Sequence, residues 1–538
     1  MCSGHLRAAR RRRLFCPDAE QIEARRLLAG SAADVLTYHN DNARTGQDLD
    51  ETILNPSNVN ATDFGKVFTD AVDGAIYAQP LYMANVAIPG QGVHNVVFVA
   101  TENDSVYAFD ADNPGPGPAL WHDSLINPAA GTTSVPTTQA WQLDMSPQVG
   151  ITGTPVIDPT TGTLYVAAKI EVSTRSGTAY AYTLNALDIS TGAEKFGGPV
   201  VVQPTVPGRG AGRVRGKVTF QAEYQLQRPA LLLENGFVYV AFGSLGDHGP
   251  YHGWVVRYAA NSLAQVAVFN DTPNSNDRTG NEGGIWMDGE GPAADAVGNI
   301  YLLTGSGLFS PARQGGSYAD AALKLTPSLT VADYFAPQGT VYLDKKDLDL
   351  GSGGGILVPT QPGGAPSMLV GGGKVGTLYN VNIASMGHQP VKNPNAQSIV
   401  NAAHSIFTSP AYYNGNVYIN AVGDVLRQYK IENGKLVGPV ALSSGTVGYP
   451  GANLSISADG SSDGIVWSLE NSGARSVPGV AVLHAYNAAN VGQELYNSNQ
   501  AGTRDQPGNA VKFAVPTIAS GKVYVGTQTG LAVYGLLH

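Results

Sequence analysis

The apolar residues of this chain recur in a repeating unit. In residues 95–112, an apolar strand is followed by a polar turn and by a second strand that ends in carboxylates. Seven later segments share this pattern, and the position of Phe98 recurs roughly every 61 residues, the length of a four-stranded antiparallel blade with its loops. The equivalent positions are Tyr165, Tyr239, Tyr301, Leu369, Tyr418, Trp467 and Tyr524. The repeat predicts an all-β chain folded as an eight-bladed β-propeller.

The first strand of each unit is predicted to lie inside the molecule. Residues 96–99 are apolar at consecutive positions, as in strands that are covered on both faces. The last unit, from Val511 onward, contains only three strand-like runs, whereas residues 65–74 form a strand-like run ahead of the first unit. We therefore predict that an N-terminal strand completes the last blade and closes the ring, which leaves no exposed sheet edge.

The composition indicates one large domain of strands and tight turns. The chain has 66 Gly and 33 Pro among 538 residues, and 14% of its residues are charged, against about 25% in an average protein. The repeats fill residues 34–538, which are predicted to form a single propeller domain. No window of eighteen apolar residues exists, so no membrane span is predicted.

Residues 1–33 differ from the rest of the chain. They are rich in Arg and contain both cysteines, Cys2 and Cys16, and they are predicted to be a disordered targeting leader. Residues 22–29, IEARRLLA, resemble a short motif found near the N-termini of exported planctomycete proteins, which implies export to the cell envelope or the exterior. Because the remaining residues lack cysteine and are acidic, disulfides and nucleic-acid binding are not expected there.

The ends of two blades carry a further motif. Residues 186–192 read Ala-Leu-Asp-Ile-Ser-Thr-Gly and are followed by Phe196, and residues 108–110 form a truncated copy. These units resemble the repeats of the pyrroloquinoline quinone (PQQ) family of eight-bladed propellers, and the resemblance covers residues 38–538. In this motif the Asp caps a tight turn and the aromatic ring packs on the next blade. The motif therefore indicates a fold and does not indicate a reaction. The family contains quinoprotein dehydrogenases, which bind PQQ and Ca²⁺, and non-catalytic propellers that bind partners.

The resemblance implies residues for a PQQ site. Trp286 matches the aromatic floor beneath the flat quinone, and Lys374 matches the basic residue of a Lys-x-Gly-x-x-Tyr turn that reaches the quinone oxygens. Asp347 and Asp349 lie where the family carries its catalytic Asp, which takes the proton of the alcohol. By resemblance, these four residues are the candidate cofactor-binding and catalytic groups.

The implied calcium site departs from the family pattern. Glu171 lies about where the family has its calcium-binding Glu, but Ser306 stands where the family offers an Asn. The adjacent-cysteine disulfide that covers PQQ in the alcohol-oxidising branch cannot form in a region without cysteine, although sugar-oxidising relatives also lack it. Glu171 and Ser306 are therefore the candidate metal ligands of an incomplete set.

Three functions remain open at this point. The sequence favours an exported, monomeric propeller that acts as a binding or scaffold module, with a protein or glycan partner on its long loops. The alternative is a PQQ- and Ca²⁺-dependent dehydrogenase that oxidises a sugar or an alcohol. A third is a carbohydrate-active enzyme that uses Asp288 and Glu290 as its acid/base pair. Each candidate also has a structural interpretation: Trp286 can pack between blades, Lys374 can be an ordinary exposed lysine, and Asp347 can belong to a solvated acidic loop.

Overall fold

The chain folds into eight antiparallel sheets that follow one another around a central axis. The predicted all-β, eight-bladed propeller is confirmed. The structure is a computed structural model and describes residues 34–137, 145, 147–275, 282–312, 316–361, 367–389, 394–399, 401–472 and 479–537. Among the helices in these ranges, none is long and apolar enough to cross a membrane.

The first four blades use strands in chain order, from the axis to the rim. Blade 1 contains Leu81–Ile88, Gly92–Ala100, Ser105–Asp110 and Trp121–Ser124. Blade 2 contains Val156–Asp158, Thr163–Thr174, Gly177–Asp188 and Val200–Val201. Blade 3 contains Leu232–Glu234, Phe237–Ser244, Trp254–Ala259 and Gln265–Asn270. Blade 4 contains Ala293–Ala294, Ile300–Leu303, Ala322–Leu325 and Val331–Phe335.

The next three blades follow the same order, and the last one departs from it. Blade 5 contains Gly355–Val358, Met368–Gly372, Leu378–Asn382 and Ala396–Ile399. Blade 6 contains Ala411–Tyr413, Asn416–Asn420, Val425–Glu432 and Lys435–Thr446. Blade 7 contains Ala452–Asp459, Ser462–Glu470, Val482–Asn487 and Glu494–Asn497. Blade 8 contains Thr517–Ala519, Lys522–Gly526, Gly530–Leu536 and the N-terminal strand Phe64–Ala71.

The remaining elements lie outside the regular blades. Additional strands extend three sheets: Thr132–Pro136 and Gln148–Val149 in blade 2, Gln225–Leu226 in blade 3, and Gln47–Asp48 in blade 7. Two separate hairpins consist of Thr205–Pro207 with Lys217–Thr219 and of Phe309–Ser310 with Ser317–Tyr318. Helical elements in the described ranges include the α-helix Thr340–Lys346 and the 3₁₀ turns Pro128–Ala130, Met287–Gly289, Leu350–Ser352 and Gly502–Asp505.

The two ends of the repeat region meet in blade 8. Its outer strand, Phe64–Ala71, pairs antiparallel with Gly530–Leu536 near the C-terminus. The predicted closure by an N-terminal strand is therefore confirmed. Without this ladder, Gly530–Leu536 would present an open edge to which other chains could pair.

The repeated aromatic position ties neighbouring blades together. It lies on the second strand of each blade, and in blades 2 and 6 it is the fully buried Tyr165 and Tyr418. The Tyr165 hydroxyl donates to the carbonyl of Ala260 in blade 3 at 3.0 Å, and the Tyr418 hydroxyl donates to the carbonyl of Ala488 in blade 7 at 2.7 Å. The ring thus fills the space between two blades while its polar end finds a partner there.

An N-terminal segment, residues 35–51, runs around the axis and contacts every blade. We call this segment the clasp. Its hydrogen bonds, in blade order, are Val35 N to Tyr82 O (2.8 Å), Ile157 N to Leu36 O (2.9 Å), Asn42 Nδ2 to Leu233 O (2.8 Å), Ala294 N to Asn42 O (2.6 Å), Leu357 N to Ala43 O (2.8 Å), Tyr412 N to Thr45 O (2.8 Å), Ile456 N to Gly46 O (2.7 Å) and Gly521 N to Glu51 Oε2 (2.8 Å). The clasp therefore holds all eight blades to one short stretch of chain.

Arg44 is the central side chain of the clasp. It is fully buried, and its guanidinium donates to the carbonyls of Leu231 and Pro292, next to the innermost strands of blades 3 and 4, at 3.1 Å each. It also donates to Thr37 Oγ1 at 2.7 Å and to the Tyr38 carbonyl at 2.9 Å within the clasp. The planar fork of guanidinium donors suits these carbonyls because they approach from different directions.

Candidate functional site

A cavity of about 480 Å³ lies on the propeller axis. Its walls come from segments that belong to blades around the whole ring, which places the space between them at the centre. None of the lining residues belongs to the clasp. The lining residues are Tyr77, Met145, Leu226, Arg228, Ser244, Gly246, Asp247, Trp286, Asp347, Asp349, Lys374, Phe407, Tyr449, Lys512 and Phe513.

Four lining residues occupy the same place in the repeat. Tyr77, Leu226, Phe407 and Phe513 each lie three residues before the proline that precedes the innermost strand of a blade. Because proline fixes the local backbone, equivalent segments direct this side chain toward the axis in each blade. Our sequence analysis missed these residues, although the spacing of an apolar residue and a proline is visible in the chain.

Aromatic rings form an arc along one part of the cavity wall. The ring centroids of Trp286 and Phe407 are 6.2 Å apart, and those of Phe407 and Tyr449 are 5.5 Å apart. The arc continues through Lys512, whose Nζ lies 5.0 Å from the ring centroids of both Tyr449 and Phe513. This wall can stack on a planar ligand and can attract negative charge at the same time.

The predicted acidic and basic residues meet on another part of the wall. Lys374 Nζ lies 2.6 Å from Asp349 Oδ2 and 3.0 Å from Asp347 Oδ2. The backbone N–H of Ser306 donates to Asp349 Oδ1 at 2.6 Å, so both oxygens of this carboxylate are held. The side chain of Asp349 is 9% exposed, whereas that of Asp347 is 61% exposed. Asp349 is therefore the fixed member of the pair.

The local backbone explains how these three side chains come together. The helix Thr340–Lys346 ends at Asp347, whose left-handed φ of 53° turns the chain toward Lys374. The backbone N–H of Lys374 donates to the carbonyl of Asp349 at 3.0 Å, which joins the two segments. Burial and the neighbouring Asp349 raise the pKa of Asp347, against the opposing effect of Lys374. Burial alone would lower the pKa of Lys374, but the two carboxylates raise it, so this lysine is charged at neutral pH.

Two carboxyl groups, Asp288 and Glu290, are fully buried next to the cavity wall. They follow Trp286 in a short turn in which Asp288 has a φ of 64°. Asp288 Oδ2 accepts from the backbone N–H of Ser409 at 3.1 Å, and Glu290 Oε1 accepts from that of Gly355 at 2.6 Å. Trp286 lines the cavity but neither carboxyl does, so the two cannot flank the glycosidic bond of a glycan bound there.

The buried Glu290 predicts a pH-dependent stability. Burial raises its pKa from an ordinary value near 4.5 to about 8. Its stabilising contribution is therefore present below the unfolded-state pKa and is lost as the pH rises through 8. We expect Glu290→Gln, which stays uncharged, to raise the free energy of unfolding at pH 9 by on the order of 3 kcal/mol and to change it little at pH 5. Urea denaturation at the two pH values measures this difference.

The matched control is Glu432→Gln, since the side chain of Glu432 is 49% exposed. Burial also raises the pKa of Glu102 to about 7 and that of Asp320 to about 8, so the unchanged protein should lose stability as the pH rises from about 5 to about 8. His39 has the opposite pH dependence, because burial lowers its pKa from 6.5 to about 4. Its contribution to the free energy of unfolding is therefore present above pH 6.5 and is lost as the pH falls through 4. A Glu290→Gln protein with the pH dependence of the unchanged protein would contradict this assignment.

Comparison with known proteins supports the fold. No protein-family model matches the chain, and no curated protein matches it in sequence. Among solved structures, the chain resembles the quinohemoprotein alcohol dehydrogenase from Comamonas testosteroni, with a TM-score of 0.61, 15% identity, and coverage of 96% of this chain and 82% of that chain. The quinohemoprotein alcohol dehydrogenase ADHIIG from Pseudomonas putida HK5 gives a TM-score of 0.58, 14% identity and the same coverages of 96% and 82%. The likeness establishes the propeller fold.

The two predicted calcium ligands do not meet as a metal site. Glu171 lies on the second strand of blade 2, where it pairs with Thr133 and Tyr180, and it does not line the cavity. Ser306 lies close to the cavity wall, but its contact there is the backbone N–H that holds Asp349. Over the ranges that the structure describes, no three His, Cys, Asp or Glu side chains gather as metal ligands.

The predicted leader, residues 1–33, and the export motif within it lie outside the described residues. Export, a monomeric state and a single-domain organisation of residues 34–538 therefore stay predictions. The same holds for a protein or glycan partner on the loops.

Proposed function

We propose that this protein is an oxidoreductase that binds a planar quinone of the PQQ class in its axial cavity and oxidises an alcohol or a sugar. The observation that carries the proposal is the convergence of Trp286, Lys374, Asp347 and Asp349 on one cavity. These residues come from distant parts of the chain and have the chemical types that such a reaction needs. The sequence alone favours a binding or scaffold role, whereas the cavity favours the alternative function, a PQQ-dependent dehydrogenase.

The cavity residues fit a ligand of this class. PQQ is a flat tricyclic quinone with three carboxylates, and the cavity offers aromatic faces beside the cations Arg228, Lys374 and Lys512. A volume of about 480 Å³ lies within the usual range for small-molecule sites. When bound, PQQ would supply the oxidising chemistry by accepting a hydride from the carbon that bears the hydroxyl.

The chain itself supplies a proton acceptor and the means to hold it. We assign the acceptor of the hydroxyl proton to Asp349, because Ser306 N and Lys374 Nζ fix its carboxylate at the cavity wall. The ammonium of Lys374 stabilises negative charge on the carboxylates and can donate to an oxygen of a ligand in the cavity. Trp286 provides a flat apolar surface that orients the ligand and keeps water from one of its faces.

Calcium has no part in this proposal. Glu171 does not line the cavity, and the carboxylates of Asp347 and Asp349 already contact Lys374. The positive charges in the cavity are those of the side chains of Arg228, Lys374 and Lys512. Each step of the proposed binding therefore uses the chain's own residues.

The proposal predicts that the full-length protein binds PQQ and that Lys374→Met weakens the binding by about 10- to 100-fold, the usual effect of losing a charge-assisted hydrogen bond. Calorimetric titration gives the affinity, and quenching of tryptophan fluorescence reports contact with Trp286. A dye-linked assay with a panel of alcohols and sugars then tests for oxidation.

The control is Lys346→Met, since Lys346 is exposed and lies on the helix that leads to Asp347. It should bind PQQ like the unchanged protein. Absence of PQQ binding, together with absence of oxidation across the panel, would overturn the proposed function. The search would then return to binding partners of the loops.

A further inference from the structure

Two cations, Arg228 and Lys512, lie side by side in the aromatic part of the cavity wall. An Arg228 Nη2–H donates to the carbonyl of Lys512 at 3.1 Å. The Phe513 ring lies close to both of them: its centroid is 4.5 Å from the Arg228 guanidinium carbon and 5.0 Å from Lys512 Nζ. Arg228 also lies 5.3 Å from the ring centroid of Tyr77, and Lys512 lies 5.0 Å from that of Tyr449. The result is a row of alternating rings and positive charges.

Arg228 keeps binding capacity although it is buried. It is 6% exposed, and its Nε–H has no hydrogen-bond partner among the described residues. The contacts of its Nη2 group are with backbone carbonyls, those of Lys512 at 3.1 Å and Asp288 at 3.5 Å. Because Arg228 lines the cavity, its guanidinium can attract a carboxylate, a group that accepts parallel hydrogen bonds from guanidinium donors.

Two acidic groups, Asp288 and Glu102, interact electrostatically with Arg228. Asp288 and Glu102 are fully buried. Burial raises the pKa of Asp288 well above its ordinary value and that of Glu102 to about 7. Burial thus disfavours the negative charge of both carboxyls, although Arg228 opposes this effect at Asp288, and Arg228 itself lines the cavity.

The carboxylates that line the cavity already have partners within the protein. Asp347 and Asp349 contact the ammonium of Lys374, and Asp247 Oδ1 accepts from the hydroxyl of Ser244 at 2.6 Å. Divalent cations favour several carboxylate oxygens around one point, and the described residues bring no three His, Cys, Asp or Glu side chains together in this way. The cavity therefore has a row of side-chain cations in place of a metal-ion site.

We propose that Arg228 and Lys512 form a carboxylate-binding subsite, so that a planar aromatic polycarboxylate binds in the cavity without a divalent cation. The identification of PQQ as the natural ligand rests on the proposed function. The subsite does not depend on it, because any flat ligand with suitably spaced carboxylates meets the same rings and cations. Calcium, which the resemblance implied, is then dispensable for binding.

Two probes test the inference: PQQ and benzene-1,3,5-tricarboxylate, each titrated calorimetrically into the full-length protein in excess EDTA and in excess Ca²⁺. We expect each affinity to agree within about threefold between the two buffers. Lys512→Met should weaken the binding of both probes by about tenfold or more, whereas Lys512→Arg should retain most of it. The control is the exposed Lys435→Met, which should leave both affinities unchanged. Thermal melts of each variant show that it is folded.

The outcomes separate this inference from the proposed function. If PQQ binds only in Ca²⁺, the inference is overturned and the proposed function stands. If the tricarboxylate binds in EDTA and PQQ binds in neither buffer, the inference stands and the proposed function is overturned. If neither probe binds, both the inference and the proposed function are overturned. If the probes bind tightly and Lys512→Met leaves their affinities unchanged, the carboxylate-binding subsite is overturned.

Discussion

Replacing Asp349 with asparagine is expected to lower the rate of alcohol or sugar oxidation by a factor of about 10²–10⁴, the usual contribution of a positioned general base. Asparagine has nearly the same shape but cannot accept the hydroxyl proton. The backbone contact of residue 349 with Lys374 N survives the change. The affinity for PQQ should therefore fall by less than about tenfold, because Lys374 keeps its contact with Asp347. Single-turnover reduction of PQQ, followed by absorbance, separates the rate from the affinity.

The matched change is Asp347→Asn. Since the Asp347 side chain is 61% exposed, we expect it to lower the rate by less than about tenfold. A larger loss from Asp347→Asn than from Asp349→Asn would move the proton acceptor to Asp347. Equal and small effects of both changes would show that neither residue is the base.

Replacing Arg44 with alanine is expected to lower the free energy of unfolding by about 3–5 kcal/mol, as the loss of one partner from a buried charged network does. The change leaves the carbonyls of Leu231, Pro292 and Tyr38 without their donor and creates a cavity inside the clasp. For a chain of this size, such a loss corresponds to a decrease in melting temperature of roughly 4 °C. Differential scanning calorimetry at one fixed scan rate measures it.

The control for Arg44 is Arg209→Ala, since Arg209 is an exposed residue on the loop between Thr205–Pro207 and Lys217–Thr219. It should change the stability by less than about 0.5 kcal/mol. Equal melting temperatures of the two variants would show that the clasp contributes little to the stability of the ring.

The fold could be predicted from the sequence because its signals repeat. A single apolar run such as residues 96–99 fits a buried helix segment as well as a strand, but eight copies at similar spacing fit only a ring of blades. The closing strand, Phe64–Ala71, was predicted because the last unit lacked a fourth strand. The repeated aromatic position has a physical reason in the Tyr165 hydroxyl bond to the next blade.

The site was predictable only in part. Trp286, Lys374, Asp347 and Asp349 were found because each lies in a short segment that resembles a family segment, and the structure brings them to one cavity. Their roles stay predictions. Glu171 was placed by the same resemblance, but where a side chain points at the end of a long strand depends on its pairing, which the sequence does not state.

The cations of the aromatic wall were missed for another reason. Arg228 and Lys512 are more than 280 residues apart in the chain, and each is an ordinary basic residue in its own segment. Only the closure of the ring, which brings blade 8 beside the earlier blades, places Arg228 next to Lys512 and Phe513. Lining positions that recur before the innermost strands could have been read from the repeat, but their mutual contacts could not.

The clasp also sets the size of the ring. Its hydrogen bonds from Val35 to Glu51 reach all eight blades in chain order, and some blades receive more than one, so the segment matches a ring of eight blades. A chain that gained a blade by duplication would contain a blade that makes no contact with the clasp. A chain that lost a blade would leave a polar group of the clasp without its hydrogen-bond partner. In this protein a change of blade number would require a new N-terminal segment as well.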